Sequence, residues 1–379
     1  MTTSSRTALS AALRAAIGIT AALGIAVAAT PAPAAASSVP APTPLPRLSA
    51  AAYLVADLET GDVLAAKDVH GRHRPASTLK VLTALTLLPE LDPAATYTAV
   101  HDDAAVDGSK VGIVPDATYS VHNLFEGLLL MSGNDAANAL ANAAGGVPEA
   151  VAAMNATAKE LGALDTKAVN PSGLDEPGQV TSAHDLAVIT RAALERPDFR
   201  TYVTTVRSAF PGKMPRRGKP RATFEIYNSN KLLHRYDGAI GVKNGWTSKA
   251  RGTYVGAATR GDRTLVAVVL KTTKRPAWEE TADLLDWGFR NASVTPVGKL
   301  AEPSAPEVVE PETTLAAGPV PAAGSRAAAA AGGMLTVPWP VWPALGVVAL
   351  LAALRVRAVR VRRRRRSRYP LPVWRQSLR

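Results

Sequence analysis

Two charge-free runs near the ends of the chain limit everything between them. Residues 15–29 carry no charged side chain, follow Arg6 and Arg14, and lead to three alanines at 34–36. A basic start, an apolar centre and a small-residue end predict a secretory signal peptide over residues 1–36. Near the other end, residues 334–354 are 21 positions without a charge, long enough for a helix to cross a bilayer, although Pro338, Pro340 and Pro343 leave only 344–354 as an uninterrupted helix former. Trp339 and Trp342 suit the outer interface of such a span. Residues 355–379 then hold eleven arginines and no acid. An excess of arginine marks the cytoplasmic side, so the expected protein crosses the membrane once, with a cytoplasmic tail and everything before the span outside.

What lies between must fold by burial alone. The chain has no cysteine, so disulfides and thiolate metal sites are excluded despite the oxidising compartment implied by a signal peptide. Residues 37–47 are rich in proline and serine and read as a linker, and 293–333 are dominated by Ala, Pro, Glu and Gly and read as a disordered stalk. Residues 48–292 remain, enough for one well-buried domain. Charge adds an exclusion. The formal net charge is +12 and the tail supplies +11 of it, which leaves +1 on the rest. The folded part is therefore expected to have no nucleic-acid partner, and the arginines serve as a topology anchor beside anionic lipid.

Within 48–292 the patterns change from strand to helix and back. Two strand-like runs, 51–58 and 63–66, flank a Glu59-Thr60-Gly61-Asp62 turn. Helical spacing follows from residue 77 to about 89, from 120 to 131, from 135 to about 144, from 148 to 161 and from 182 to 195. Residues 207–221 are basic and rich in Gly and Pro, and so predict a mobile surface loop. Three strand candidates, 239–245, 253–259 and 263–270, precede an amphipathic helix over 277–289 that is expected to end the fold. Strands at both ends and helices between predict an α/β sandwich with a mostly antiparallel sheet flanked by helices.

The chemistry is expected at three short motifs. In Ser77-Thr78-Leu79-Lys80 a helix puts the hydroxyl and the amine one turn apart on one face, a nucleophile beside a base. Pro75 suits a helix start, whose positive end favours an alkoxide at Ser77. Ser-x-x-Lys alone is weak, since a chain of this length gives about one match by chance. The second motif, Ser132-Gly133-Asn134, falls on a helix-to-helix turn within an all-helical subregion, and the third is Lys243-Asn244-Gly245. Each has a plain structural reading, the second as a helix cap and Asn244-Gly245 as a hairpin turn. Trp246-Thr247-Ser248-Lys249 is a poor return strand for such a hairpin. The ordered set of three is far more specific than any one of them.

With these motifs the chain resembles the low-molecular-weight penicillin-binding proteins, specifically the D-alanyl-D-alanine carboxypeptidases. The resemblance runs through Asp57-Leu58-Glu59-Thr60-Gly61, Pro75-Ala76-Ser77, Met131-Ser132-Gly133-Asn134-Asp135-Ala136, Asn170-Pro171-Ser172-Gly173-Leu174, Asn230-Lys231-Leu232-Leu233 and Gly241-Val242-Lys243. It implies a β-lactamase/transpeptidase-like fold and a bacterial cell membrane protein whose substrate is a peptidoglycan stem peptide, inhibited by β-lactams, with no cofactor and no metal. It further implies Ser77 as nucleophile, Lys80 as its base and Ser132 as proton carrier. Asn134 would hold the substrate amide, and Lys243 would face the terminal carboxylate and keep Lys80 neutral. The backbone amides of Ser77 and Trp246 would form the oxyanion hole beside Gly245. Two positions depart from the pattern. Asn244 replaces a usual hydroxyl residue, which Thr247 is expected to supply, and Arg251 replaces a small residue and is expected to add a second cation.

Two other functions fit parts of the sequence. A β-lactamase of the same fold would carry an Asp in the middle of the second motif, where Gly133 stands. A non-catalytic muropeptide-binding receptor would share the layout, but a tail of about 25 residues is short of a signalling domain. The histidines His70, His73, His101, His122, His184 and His234 form no His-Glu-x-x-His motif for a metallopeptidase.

Overall fold

The computed structural model describes residues 43–300, with the exception of 216, 218 and 292. The expected signal peptide, residues 37–42 of the linker, the stalk beyond residue 300, the span and the tail lie outside the described residues. Among the described residues no helix is long and apolar enough to cross a membrane.

In chain order, strands β1 (Ala52–Asp57) and β2 (Asp62–Lys67) form the opening hairpin. A 3-10 turn, Ala76–Leu79, runs into α1 (Lys80–Leu87). Then come β3 (Thr96–Thr98), α2 (His101–Ala104), β4 (Thr118–Ser120), α3 (Val121–Leu129), α4 (Asn134–Ala143) and α5 (Val147–Glu160). Helices α6 (Ala183–Glu195) and α7 (Pro197–Thr204) precede a hairpin of β5 (Arg207–Pro211) and β6 (Thr223–Tyr227). The chain closes with α8 (Leu232–Arg235), β7 (Ala239–Thr247), β8 (Arg251–Arg260), β9 (Arg263–Thr272), α9 (Ala277–Arg290) and β10 (Gly298–Lys299).

The main sheet has the order β10-β2-β1-β9-β8-β7, and every pairing in it is antiparallel. Its centre is apolar on both faces. Along β9, Val266, Val268 and Leu270 join one buried cluster with Leu54, Leu82 and Leu186. The alternate residues Leu265, Ala267 and Val269 join another with Val55, Leu284 and Leu285 of α9. A period of two on a strand covered on both sides reads as one continuous apolar run, as the 263–270 stretch does. The α/β sandwich and its mostly antiparallel sheet are thus observed, with the helical subregion packed on the face opposite α9.

Three expectations need correction. Residues 207–211 are not a mobile loop; they pair with 223–227, because Phe210 and Ile226 are fully buried and Phe210 stacks 5.5 Å from Tyr119. Arg221, counted as loop charge, lies 4.6 Å over the Tyr119 ring. The fold does not end at α9: β10 pairs with β2, and Leu300 is buried. Nor is the whole of 37–47 a free linker. Thr43 accepts from Trp287 Nε1 at 2.8 Å and from Asn291 Nδ2 at 2.7 Å, so the chain is docked on α9 from its first described residue.

That docking depends on one buried acid. Glu280, fully buried, accepts from Ser49 N and Ala50 N at 3.0 Å each and from the Ser49 hydroxyl. Hydrogen bonds to a buried charge contribute more than neutral ones, and their loss leaves two amides without acceptors. Glu280→Ala is expected to lower stability by about 3 kcal/mol in denaturant unfolding, while the folded fraction keeps its cleft chemistry.

Candidate active site

The site begins with a backbone conformation that an ordinary residue avoids. Ala76, just before Ser77, has φ +48° and is fully buried. Gly173 sits against it so closely that a Cβ there would fall 1.9 Å from the Ala76 carbonyl oxygen, and Gly173 itself has φ +84°. On the other side, a Cβ on Gly245 would lie 2.7 Å from the Ser77 amide nitrogen. Two glycines thus let two distant segments close on the serine backbone, where any side chain would force them apart. Thr253 Oγ1 and Thr78 Oγ1 both donate to the Pro75 carbonyl, at 2.9 and 2.6 Å, and hold the turn in place.

Lys80 decides the chemistry. Its Nζ lies 3.0 Å from Ser77 Oγ, 2.6 Å from Asn134 Oδ1 and 2.5 Å from the Ser172 carbonyl oxygen. The last two can only accept. A neutral amine has two N–H groups and one lone pair, so both protons are committed to these oxygens and the lone pair is left for the Ser77 hydroxyl. The environment favours that form. Complete burial pushes the Lys80 ammonium well below the ordinary lysine value, the charge of Lys243 pushes the same way, and Asp135 opposes them. Lys243, equally buried, is lowered by burial to about 7, and its Nζ donates to the Asn244 carbonyl at 2.9 Å.

The second motif falls on the turn between α3 and α4. Ser132 has φ +60° and is buried, and its hydroxyl has no hydrogen-bond partner among the described residues. Asn134 opens α4. While Oδ1 receives Lys80, its Nδ2 donates to the Asp107 carbonyl at 2.6 Å, and its backbone amide donates to the Ser109 carbonyl at 2.7 Å. Asp135, next in sequence and fully buried, accepts from the amides of Val111, Gly112 and Ile113 at 2.9, 2.8 and 3.0 Å. It therefore shapes the 107–113 loop that forms one wall.

The opposite wall is β7, an edge of the main sheet. Asn244 and Gly245 are strand residues paired with Tyr254 and Thr253, not a hairpin turn. Asn244 Oδ1 accepts from the Ser229 hydroxyl at 3.0 Å. Thr247 Oγ1 accepts from the Ala250 amide at 2.8 Å, which leaves its proton free to donate toward the cleft. A cleft of about 600 Å³ runs between the walls, lined by Ser77, Asn134, Trp246 and Thr247 together with Asp107, Ser109 and Leu174. Trp246 is 67% exposed at its rim. Lys80 and Lys243 lie buried and outside that lining.

Of the residues expected from sequence, Ser77, Lys80 and Asn134 are joined by hydrogen bonds, Gly245 packs on the Ser77 backbone, and Trp246 and Thr247 line the cleft. Ser132, Lys243 and Asn244 are not part of that lining, and Arg251 stands opposite Thr247 in the register, exposed, with φ +61°, also outside it. Sequence reasoning missed the acceptor on Ser172 and the loop-shaping role of Asp135. The Asn170-Pro171-Ser172-Gly173 turn was visible, but a carbonyl has no letter of its own. Asp135 reads from sequence as an acid in the first turn of a helix.

This arrangement can activate a serine for acyl transfer. A family model described as D-alanyl-D-alanine carboxypeptidase, peptidase family S11, matches residues 37–274. The D-alanyl-D-alanine carboxypeptidase DacB2 of Mycobacterium tuberculosis is 44% identical over 262 residues, covering 68% of this chain and 88% of that protein. A crystal structure of a D-alanyl-D-alanine carboxypeptidase from Mycobacterium tuberculosis is similar with a TM-score of 0.63 and 42% identity, over 69% of this chain and 97% of that one. The crystal structure of the Streptomyces K15 DD-transpeptidase gives 0.61 and 29%, over 65% and 99%.

The buried amines carry a testable sign. An unfolded lysine titrates near 10.4, so between about 7 and 10.4 the unfolded chain binds the Lys243 proton and the folded chain does not. Stability from this group is expected to rise with pH across that window, with the penalty complete below about 7. In NMR of ε-labelled lysines, Lys80 is expected to titrate well below 10.5, and Lys243→Met is expected to move that midpoint up by removing the neighbouring charge.

Proposed function

Because the chain belongs to the D-alanyl-D-alanine carboxypeptidase family of serine peptidases, peptidase family S11, we propose that Ser77 is its acylating nucleophile and that the cleft between α4 and β7 receives the D-Ala-D-Ala end of a peptidoglycan stem peptide. The observation that carries this reading is the Lys80 amine, with two acceptor oxygens and one hydroxyl at 2.5–3.0 Å.

Ser77 Oγ attacks the carbonyl carbon of the penultimate D-alanine as its proton moves to Lys80 Nζ. The carbonyl oxygen becomes an oxyanion, held by the backbone amides of Ser77 and Trp246. The C–N bond then breaks, and the proton passes from Lys80 by way of Ser132 to the departing amine, which leaves as D-alanine. Water opens the resulting ester, with Lys80 again taking the proton, and releases the shortened peptide. A β-lactam would acylate Ser77 by the same first step but keep its leaving group tethered. Gly133 stands where a β-lactamase of this fold would carry an Asp, a difference that fits a long-lived adduct.

The remaining residues position the substrate. Asn134 has one Nδ2 proton beyond the bond to Asp107 and is assigned to the peptide amide. Lys243, the Thr247 hydroxyl and the Asn244 amide are assigned to the terminal carboxylate, with Gly245 admitting the backbone of β7 to the serine. Arg251, opposite Thr247, is assigned as a second and weaker attraction for that carboxylate. The same proposal extends to location: a signal peptide at 1–36 and a span at 334–354 would hold the domain outside a bacterial membrane, near its substrate.

Ser77→Ala is expected to lose D-alanine release from a D-Ala-D-Ala pentapeptide by at least about 10⁴-fold and to take no penicillin label; retention of either overturns the assignment. Arg251→Ala is expected to raise KM by about fivefold with kcat unchanged, the size of an exposed charge interaction, and an unchanged KM removes Arg251 from the site.

A further inference from the structure

Outside the cleft, the arm that leads to Ser77 carries a second group of ligand-type side chains. The arm is fastened to the segment that opens α6: His73 and Thr181 exchange backbone hydrogen bonds of 2.8 Å, and the His184 amide donates to the Val69 carbonyl at 3.0 Å. This brings the His70 and His184 rings to 4.7 Å between centroids. His70, His184 and Asp185 each present one ligand atom, and the three atoms lie within 4.8 Å of one another. None of them lines the cleft.

The surroundings hold these groups as a metal site would. His70 Nδ1 is 2.9 Å from Asp165 Oδ2, and a carboxylate behind a histidine fixes the ring and raises the basicity of its other nitrogen. Asp185 Oδ2 accepts from Thr166 Oγ1 at 2.8 Å, and Asp185 Oδ1 lies 3.4 Å from His184 Nδ1. Arg72 approaches the other oxygen of Asp165 at 3.6 Å. With neutral imidazoles, the two carboxylates and one guanidinium leave a charge of −1 to meet a cation. His184 and Asp185 are buried while His70 is exposed, so an ion can enter from one side and keep water there.

We propose that His70, His184 and Asp185 bind a divalent transition-metal ion, with zinc the best fit. Two imidazoles and one carboxylate suit a borderline ion and disfavour calcium and magnesium, which prefer oxygen ligands. Ligand atoms in a tetrahedral zinc site sit roughly 3.3 Å apart, which requires only a small swing of the exposed His70 side chain. Bound there, the ion ties the arm before the nucleophile to α6 and takes no part in acyl transfer.

The test uses the full-length chain, stripped with EDTA and titrated with zinc chloride by calorimetry. One equivalent is expected to bind at micromolar or tighter Kd, and zinc at a hundredfold excess over Kd is expected to raise Tm by roughly 5–10 °C, with no shift from magnesium. His70→Ala, at an exposed position that tolerates truncation, is expected to weaken binding more than tenfold, and Asp165→Asn, which keeps all three ligands, by about tenfold. No saturable binding by the wild type, or zinc affinity unchanged in His70→Ala, overturns the proposal.

Discussion

The arrangement of the molecule follows from the cost of burying one amine without its proton. Lys80 is wholly inaccessible, and its nitrogen is shared among a hydroxyl, an amide oxygen and a backbone carbonyl. Burial disfavours the ammonium form, and what remains is a base whose lone pair has one place to go. The partners come from three separate parts of the chain, 54 and 92 residues away in two cases. The base is therefore competent only when the helical subregion and the 170–174 turn are both docked. The ordering of the walls serves the same end. Asp135 shapes the loop beneath Asn134, and the two glycines let β7 and the 173 turn close on Ser77.

The parts of the site that depend on local geometry were legible in the sequence. Ser77 and Lys80 face each other because three residues make nearly a helical turn, and that is fixed by spacing alone. The Ser132 and Asn134 turn was visible because two helical periods stop on either side of it. The rest was hidden for a physical reason: the acceptor on Ser172 and the amides that hold Asp135 are backbone groups, identical at every position. The same applies to the fold. Sheet centre strands stood out as apolar runs, whereas β10 is two exposed residues defined only by a partner more than 230 positions away. In 207–227 the count of Gly, Pro and Arg outweighed the two residues that matter, Phe210 and Ile226, whose burial turns a supposed loop into a hairpin.

A chain without cysteine has to close itself by other means. Here Thr43 and Asn291, 248 residues apart, exchange side-chain and backbone hydrogen bonds of 2.7 Å, and Glu280 grips Ser49 and Ala50 just beyond them. Closing so long a loop costs only slowly more entropy as its length grows, so a few well-satisfied bonds and the apolar contacts of α9 suffice. The start of the domain is thereby fixed to the end of α9, while the last described strand, β10, returns to β2.

That closure has a consequence for synthesis. The first strand made, β1, pairs on one side with β2, its immediate successor, and on the other with β9, over 200 residues later. A ribosome adding about 5–20 residues each second therefore needs roughly ten seconds or more before the partner of β1 exists. Through that interval the apolar strand Ala52–Asp57 has an open edge and an uncovered face. Only the β2 side of β1 can be completed in chain order, so the sheet closes only once the last part of the domain, β9 and α9, is available.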